Sequence, residues 1–332
     1  MIPYFAKKIK YAIITCRHER SGFSVEKYLT SFVIPCYRSS NMIGGVVDEI
    51  EKAMTGRDYE IILVNDSSPD DTFETIKGLC EKDPKVVGVN LNENFGQHAA
   101  LMAGFHQVKG DVIVCLDDDG QTPAEEVGKL LEKIEEGYDA VYARYASKKH
   151  SGFRNFGSTV NDWMLRFMLN KPKSLKVSSY FAVKRLIVDE MIKYTNPYPY
   201  VIGLVLRSTK NICNVDVNHR ARTEGTSGYT LGKLLSLWMN GFTAFSVKPL
   251  RIATGIGALM AFGSFIYGIV TIILKLVGIN YVMGFSSLMA VTTFIGGLNL
   301  LMLGIIGEYL GRIYISLNKS PQFIVKERID NR

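Results

Sequence analysis

Two long uncharged runs near the end of the sequence constrain the fold more than any other feature. Residues 252–274 carry no charge, and a second uncharged run covers residues 276–307. About 20 predominantly apolar residues cross the hydrocarbon core of a bilayer. We therefore predict two membrane spans, at about 252–274 and 284–306. A buried helical hairpin of a soluble domain is the alternative interpretation.

Basic residues flank this predicted pair of spans on its outer sides. Only Lys275 lies between the spans, whereas the flanks contain Lys233, Lys248, Arg251, Arg312, Lys319, Lys326 and Arg328. Because basic flanks stay in the cytoplasm, we predict a multi-pass protein of the cytoplasmic (inner) membrane with both termini in the cytosol. The net charge of +7 is then attributed in part to contact with anionic headgroups. The sequence has no basic stretch with interleaved aromatic residues, so this signal of nucleic-acid binding is missing.

Upstream of the spans, apolar runs alternate with segments of helical spacing. The runs SFVIPCY, YEIILVND, KVVGVNL, GDVIVCLDDD and DAVYAR predict five strands, with helices between them. This order predicts an α/β fold with a mostly parallel sheet and helices on both faces. The sequence has neither GxGxxG after the first strand nor a phosphate-binding GxxxxGK[ST] loop. Its five scattered cysteines form no CxxC pair, which argues against a zinc site or a disulfide framework.

Polar residues follow four of the predicted strands at the point where each strand ends. They are residues 35–40, 65–68 and 117–121, together with Arg144. In parallel sheets of this kind, ligands bind beyond the carboxyl ends of the strands. The sequence therefore predicts a binding site at one edge of the sheet, although a solvated edge could show the same pattern.

Three consecutive acids, Asp117, Asp118 and Asp119, end the fourth predicted strand. Alternation along a strand would send Asp117 and Asp119 to the same side. Two carboxylates on one side suit Mg²⁺ or Mn²⁺, and Gln121 could add an amide oxygen. An acidic turn with helix-capping duties is the alternative. Asp66 is a separate carboxylate that could bind a ribose hydroxyl or a nucleotide base.

Several segments together resemble glycosyltransferase family 2, and most of all its polyprenyl-phosphate branch. They are SFVIPCYRSS, IILVNDSSPDDT, NFGQHAALMAGFHQVKGDVIVCLDDDGQTPAEE, RTEGTSGYTLGKLLSLWMNGFTAFSVKPLR and GIIGEYLGRIYISLNKSPQFIV. The resemblance covers about residues 28–327 and is carried by the order of these motifs more than by any one of them.

The resemblance implies a glycosyltransferase of the A type, with a nucleotide-sugar-binding sheet. It implies a nucleoside-diphosphate sugar as donor, with uridine favoured as its base, a polyprenyl phosphate as acceptor and Mg²⁺ or Mn²⁺ as cofactor. The residues carried over are Asp117, Asp119 and Gln121 for the metal; Asp66 for the nucleotide; Arg144 and Arg154 for phosphates; Arg220, Arg222 and Ser227 for phosphate near the membrane; and Pro35, Tyr37 and Asp118 as further binding residues. Among these, Asp117, Asp119, Arg154 and Arg222 are the predicted catalytic residues. The resemblance is also compatible with a homo-oligomer.

The sequence departs from the family pattern at three places. Arg38 and Ser39 stand where Asn-Glu usually follows the tyrosine, and Gly228 replaces a common basic residue. The acceptor region LKVSSYFAVKR has no acid where related enzymes often carry one. A phosphate acceptor is already mostly dianionic near neutral pH, so it needs no general base, whereas a sugar hydroxyl does. The missing acid therefore favours inverting transfer to a phosphate.

These features predict five parts of the chain. They are an N-terminal extension (1–27), a cytosolic catalytic region (28–228), an amphipathic juxtamembrane segment (229–251), two transmembrane helices (252–307) and a cytosolic tail (308–332). Two alternatives to the leading function stay open. One is transfer to a lipid or glycan hydroxyl, and the other is a catalytically inactive membrane scaffold.

Overall fold

A computed structural model of the protein describes residues 28–145, 166, 171–218, 248–277, 284–318 and 320–332. The predicted N-terminal extension lies outside the described residues, as do residues 229–247 of the predicted amphipathic segment. The chain divides into two compact units. Of the described residues, 28–145, 172–218 and 321–332 belong to the first unit, and the second contains 248–277 and 284–318.

The first unit begins with the predicted alternation of strands and helices. Its elements up to residue 145 are β1 (Thr30–Cys36), α1 (Ile43–Ala53), β2 (Tyr59–Asn65), α2 (Thr72–Lys82), β3 (Val86–Leu91), α3 (Gln97–Phe105), β4 (Val112–Cys115), a 3₁₀ turn (Ala124–Glu126), α4 (Val127–Glu135) and β5 (Ala140–Tyr145). The later elements are β6 (Phe181–Lys184), α5 (Arg185–Met191), α6 (Val201–Ser208), β7 (Ile212–Val217) and β8 (Val325–Asp330).

The strands and helices bury the faces that their sequences predict. All seven residues of β1 are buried, as expected for a strand covered on both sides. Helix α1 buries Ile43, Val46, Val47 and Ile50, a spacing that places them on one helical stripe. Helix α3 is apolar all round, and every residue from Ala99 to Phe105 is buried. It lies so close to β1 that a Cβ on Gly104 would come within 2.4 Å of Val33 Cγ1.

The sheet has eight strands in the order β7-β5-β6-β4-β1-β2-β3-β8. Four strand pairs are parallel, namely β1–β2, β1–β4, β2–β3 and β5–β7. Three are antiparallel, namely β3–β8, β4–β6 and β5–β6. The sheet is therefore mixed, with four parallel and three antiparallel pairs, where the sequence predicted a mostly parallel sheet. Two short strands cause the difference, because β6 inserts between β4 and β5 and β8 pairs with the edge of β3.

The second unit contains two long helices, α7 (Lys248–Leu276) and α8 (Phe285–Leu317). Among the described residues, one stretch is long and apolar enough to cross a membrane, Phe294–Leu317 in α8. Helix α7 contributes a shorter apolar stretch, Ala253–Tyr267. The structure therefore does not confirm both predicted spans, and α8 continues past the predicted boundary at residue 307. Glu308 ends the uncharged run in the sequence, but neither Glu308 nor Arg312 ends the helix.

Candidate active site

The strands that carry the predicted site residues end at one edge of the sheet. Strands β1 to β4 run parallel to one another. Because β6 is antiparallel to both β4 and β5, β5 points the same way as β4, and so does β7. We call the edge formed by the carboxyl ends of these six strands the carboxyl rim. It carries residues 35–40, 65–68, 117–121 and Arg144, as the sequence predicted.

Asp117 lies half-buried at the carboxyl rim, and each of its carboxylate oxygens accepts a hydrogen bond. Gln97 Nε2 donates to Asp117 Oδ1 at 2.8 Å, and the Ser179 hydroxyl donates to Asp117 Oδ2. Burial, together with the neighbouring charges of Asp119 and Asp118, raises the pKa of Asp117 to about 6, although the hydrogen bonds from Ser179 and Gln97 lower it. Both donors are neutral, so they orient the carboxylate without neutralising its charge.

Asp118 and Asp119 make different contacts from Asp117. Asp118 Oδ2 accepts the backbone N–H of Tyr37 at 2.9 Å, which ties the loop after β4 to the end of β1. Burial raises the pKa of Asp118 as well. Asp119 Oδ1 accepts the backbone N–H of Gln121 at 3.1 Å across a tight turn at Gly120, whose φ is +67°. Because β4 ends at Cys115, hydrogen bonds rather than strand alternation set the directions of these acids.

The predicted metal ligands form a sparse set. Within the described ranges, no three or more His, Cys, Asp and Glu side chains are grouped so that they could hold a metal ion. Burial raises the pKa of Asp117, and the nearby charges of Asp119 and Asp118 add to that rise. A divalent cation would relieve this repulsion. Mg²⁺ in such sites commonly takes one or two carboxylates and completes its shell with water and substrate phosphates. The donor set therefore fits a cation whose remaining ligands would be water and the phosphate oxygens of a substrate.

Asp66 is buried at the end of β2, and its carboxylate holds the loop that leads into α3. Its Oδ1 accepts the N–H of Phe95 and its Oδ2 accepts the N–H of Gly96, both at 2.8 Å. Burial raises the pKa of Asp66, and the two backbone hydrogen bonds oppose that rise. Each oxygen has a second lone pair, which could accept a hydrogen bond from a nucleotide. The contact between Asp66 and a nucleotide stays a prediction.

The carboxyl rim contains two strained residues at neighbouring strand ends. Arg38 after β1 has φ +57°, and Ser67 after β2 has φ +50°. Neither is glycine, and such conformations cost about 1–3 kcal/mol each and persist only where the surrounding structure imposes them. The backbone N–H of Arg38 donates to the Ser68 hydroxyl at 2.8 Å. The strain is therefore held by contacts between the two loops, at the edge where the site is predicted.

The other predicted residues fall into two groups. Pro35 is buried within β1, and Tyr37 is 44% exposed at the carboxyl rim. Arg144 pairs with Asp216 of β7, with Nε–Oδ1 2.5 Å and Nη2–Oδ2 2.8 Å, so the predicted phosphate contact would require an exchange of partners. The remaining predicted residues lie outside the described residues; they are Arg154, Arg220, Arg222 and Ser227.

Sequence reasoning missed Gln97 and Ser179 as site residues. In the sequence, Gln97 is one residue of a motif that resembles the family. Ser179 lies in the acceptor region, where related enzymes often carry an acid and this chain has none. The two residues are 20 and 62 residues from Asp117 along the chain. The pairing of β4 with β6 holds the signal, because the register Cys115↔Phe181, continued by two residues, brings Ser179 opposite Asp117.

Comparison with known proteins places these features among characterised families. The family model "Glycosyl transferase family 2" matches residues 31–192, and the model "GtrB C-terminal hairpin" matches residues 248–313. The chain is 32% identical over 307 residues to the undecaprenyl-phosphate 4-deoxy-4-formamido-L-arabinose transferase of Pseudomonas aeruginosa (strain LESB58), covering 90% of this chain and 89% of that one. It is 30% identical over 312 residues to the transferase of the same name from Photorhabdus laumondii, covering 91% and 95%.

One solved structure supports the fold assignment. It is glucosyl-3-phosphoglycerate synthase from Mycobacterium tuberculosis in complex with Mn²⁺, UDP-glucose and phosphoglyceric acid. The TM-score is 0.50 at 18% identity, over 64% of this chain and 76% of that chain. At this identity the likeness concerns the fold alone.

Proposed function

The chain belongs to glycosyltransferase family 2, in its polyprenyl-phosphate branch, and from that premise we propose that it transfers a sugar from a nucleoside-diphosphate sugar to undecaprenyl phosphate. The donor would carry uridine, and the reaction would invert the anomeric carbon at the cytoplasmic face of the membrane. The observation that carries this proposal is the acidic loop at the carboxyl rim, where Asp117 is fixed by Gln97 and Ser179 next to Asp118 and Asp119.

A divalent cation, Mg²⁺ or Mn²⁺, would be held by Asp117, Asp119 and Gln121. When bound, it would act as a Lewis acid and offset the negative charge that develops on the departing nucleoside diphosphate. The chain's own part is to hold the Asp117 carboxylate in place at the rim without neutralising its charge. The neutral donors on Asp117 meet that requirement, since a lysine or arginine in their place would compete with the cation.

The acceptor side of the rim favours a phosphate as nucleophile. The segment before β6 carries Ser179 at the rim, and the Ser179 hydroxyl already donates to Asp117. A hydroxyl acceptor would need a general base to take its proton, whereas a phosphate monoester with a second pKa of about 6 is already charged. Arg144, at the same rim, would offer a fork of N–H donors to a phosphate in exchange for Asp216.

The tail of the chain supports two membrane crossings. The first unit contains residues both before α7 and after α8, because β8 pairs with β3. A chain that leaves a compact unit and returns to it on the same side of a membrane crosses that membrane an even number of times. Since α8 contains a stretch of spanning length, α7 would supply the second crossing. Strand β8 also begins beside Leu91, so the chain re-enters the first unit at the carboxyl rim.

The proposal is tested by comparing two acceptors that differ only in the phosphate. Purified protein in detergent is given a panel of radiolabelled sugar nucleotides with Mn²⁺ and either undecaprenyl phosphate or undecaprenol. We expect one labelled lipid product with undecaprenyl phosphate, released by mild acid, and none with undecaprenol. Transfer to undecaprenol at a comparable rate would support the hydroxyl-acceptor alternative. No transfer from any sugar nucleotide would support the inactive scaffold.

A further inference from the structure

The carboxylate of Asp117 is gripped from two sides by residues of separate elements. Gln97 is the first residue of α3 and donates to Oδ1 at 2.8 Å, while Ser179 precedes β6 and donates to Oδ2. A carboxylate oxygen has two lone pairs. One donor on each oxygen leaves the other lone pair of each available, and it removes the rotational freedom of the side chain.

The position of Gln97 is set by buried contacts on its amino-terminal side. Asp66 binds the N–H groups of Phe95 and Gly96, the two residues before Gln97. Gly96 has φ +89° and ψ 159°, a conformation that a residue with a side chain rarely adopts. Behind Gln97, α3 packs on β1 through Gly104 with no room for a methyl group. The side chain of Gln97 therefore starts from a fixed backbone.

The position of Ser179 is set by strand pairing. Strand β6 pairs with β4, with Cys115 opposite Phe181, and the intervening Tyr180 is fully buried. Ser178, the residue before Ser179, has its hydroxyl within hydrogen-bond distance of the carbonyl oxygens of Ala143 and Tyr180, at 2.9 and 2.8 Å. Two adjacent serines thus do different things, because one faces backbone and the other faces Asp117.

We propose that Gln97 and Ser179 are positioning residues that fix the carboxylate of Asp117 for a divalent cation, and that Asp66 sets Gln97 through the loop at residues 95–97. This inference rests on the proposed function, because it assigns the cation to Asp117 and Asp119. Partners of metal ligands typically change metal affinity by about 10- to 100-fold when they are removed, since they orient the ligand before the metal arrives. Gln97 and Ser179 would act in that way.

The test measures Mn²⁺ binding directly, apart from turnover. The full chain in detergent is titrated with Mn²⁺ alone, and free Mn²⁺ is read from its electron paramagnetic resonance signal. We expect Ser179→Ala and Gln97→Ala each to raise the dissociation constant about tenfold. Ser178→Ala is the matched control for Ser179→Ala, and Gln107→Ala, beyond the other end of α3, is the control for Gln97→Ala. Both controls should bind Mn²⁺ as the unmodified protein does.

A conservative variant separates positioning from a loss of folding. Ser179→Thr keeps the hydroxyl donor, and it should keep Mn²⁺ affinity to within about threefold, a difference of less than 1 kcal/mol. Thermal unfolding by circular dichroism is recorded for every variant. The proposal would be overturned if the Ser179→Thr variant folded but bound Mn²⁺ as weakly as the Ser179→Ala variant. Wild-type affinity in both alanine variants would also overturn it.

Asp119→Asn distinguishes failure of the inference from failure of the proposed function. If Asp119→Asn weakens Mn²⁺ binding while Gln97→Ala and Ser179→Ala do not, the metal assignment stands and the positioning role is wrong. If Asp119→Asn binds Mn²⁺ as the unmodified protein does, the metal assignment fails and the inference falls with it.

Discussion

Asp66 accepts the backbone N–H of Gly96 at 2.8 Å, and through this contact the end of β2 controls the start of α3. The same carboxylate also accepts the N–H of Phe95 at 2.8 Å. Asp66 is 4% exposed, so both hydrogen bonds are shielded from water. An acid that the sequence assigns to a nucleotide is thus also part of the frame that holds Gln97 next to Asp117.

Replacing Asp66 by asparagine should weaken this frame. Asparagine has one acceptor oxygen, so one of the two N–H groups would face an amide that is itself a donor. We expect Asp66→Asn to lower the free energy of unfolding by about 2–3 kcal/mol, measured by denaturant titration in detergent. Asp71→Asn is the control, because the Asp71 side chain makes no capping bond at the start of α2. Equal stability of the two variants would contradict the role of Asp66 in holding the loop.

Adding one methyl group to α3 should disturb the same region from the other side. A Cβ on Gly104 would lie 2.4 Å from Val33 Cγ1 and 3.2 Å from Val64 Cγ2. We expect Gly104→Ala to lower the free energy of unfolding by about 1–3 kcal/mol through overpacking. Gly128→Ala in α4 has nothing within 4 Å of its added Cβ, so it should leave stability unchanged or raise it by up to about 1 kcal/mol. Thermal unfolding of both variants measures the contrast, and a stabilised Gly104→Ala variant would show that the close packing is not real.

A buried ion pair secures the tail of the chain to the sheet. The Arg332 guanidinium contacts Glu60 Oε2, and their side chains are only 10% and 4% exposed. Glu60 Oε1 also accepts the Ser31 hydroxyl at 2.5 Å and the Lys109 N–H at 2.6 Å. Removing Arg332 would leave a buried carboxylate without its charged partner.

We therefore expect Arg332→Gln to lower the free energy of unfolding by about 3 kcal/mol, read from denaturant titration. Arg328→Gln is the control, because Arg328 is 46% exposed and its pair with Asp330 is near the surface. It should cost less than about 1 kcal/mol. A loss at Arg328 as large as the loss at Arg332 would mean that burial does not govern the strength of these pairs.

His98 should make stability depend on pH. It lies on α3, and its Nδ1 has no hydrogen-bond partner among the described residues. Its ring packs edge-on against Tyr200, with 5.1 Å between the ring centroids. Burial lowers the pKa of His98 to about 4. As the pH falls from about 6.5 towards 4, the unfolded chain takes up a proton that the folded His98 does not accept. Above pH 6.5, His98 therefore does not lower the free energy of unfolding. Below pH 6.5, it lowers the free energy of unfolding by up to about 1.4 kcal/mol per pH unit.

A variant without the imidazole isolates this effect. His98→Phe keeps a ring against Tyr200 and cannot titrate, so its thermal midpoint should fall less between pH 6.5 and 4.5 than that of the unmodified protein. The carboxyl groups and the other histidines titrate in both proteins, so their effects cancel in the difference. Parallel pH profiles for the two proteins would rule out His98 as the source.

The sequence predicted the strands that are buried on both faces. SFVIPCY and YEIILVND became β1 and β2, because a run of apolar residues that is too short for a helix is buried most simply as a central strand. It predicted none of β6, β7 and β8, and two of these strands, β6 and β8, show the reason. FAVK has only four residues, and VKERID is charged and exposed, as edge strands often are. Both strands are defined by distant partners rather than by their own pattern.

The candidate site divides in the same way. The three acids after β4 could be predicted because their like charges need a reason to be adjacent. Gln97 and Ser179 could not, since a neutral amide and a hydroxyl are ordinary in any loop and only the fold brings them to Asp117. The uncharged runs predict both membrane spans, whereas the return of β8 to the sheet, which supports an even number of crossings, could not be predicted from those runs.

The most direct measurement of the central claim is sugar transfer to undecaprenyl phosphate by Asp119→Asn in isolated membranes, with Asp111→Asn as the matched control. Asp111 lies before β4, at the opposite end of that strand from the carboxyl rim, where it accepts the backbone N–H of Leu29 at 3.3 Å. We predict that Asp119→Asn inserts into membranes normally and loses transfer by at least about 100-fold, in line with the loss of a group that stabilises transition-state charge. Asp111→Asn should retain transfer, and near-normal turnover by Asp119→Asn would contradict the account.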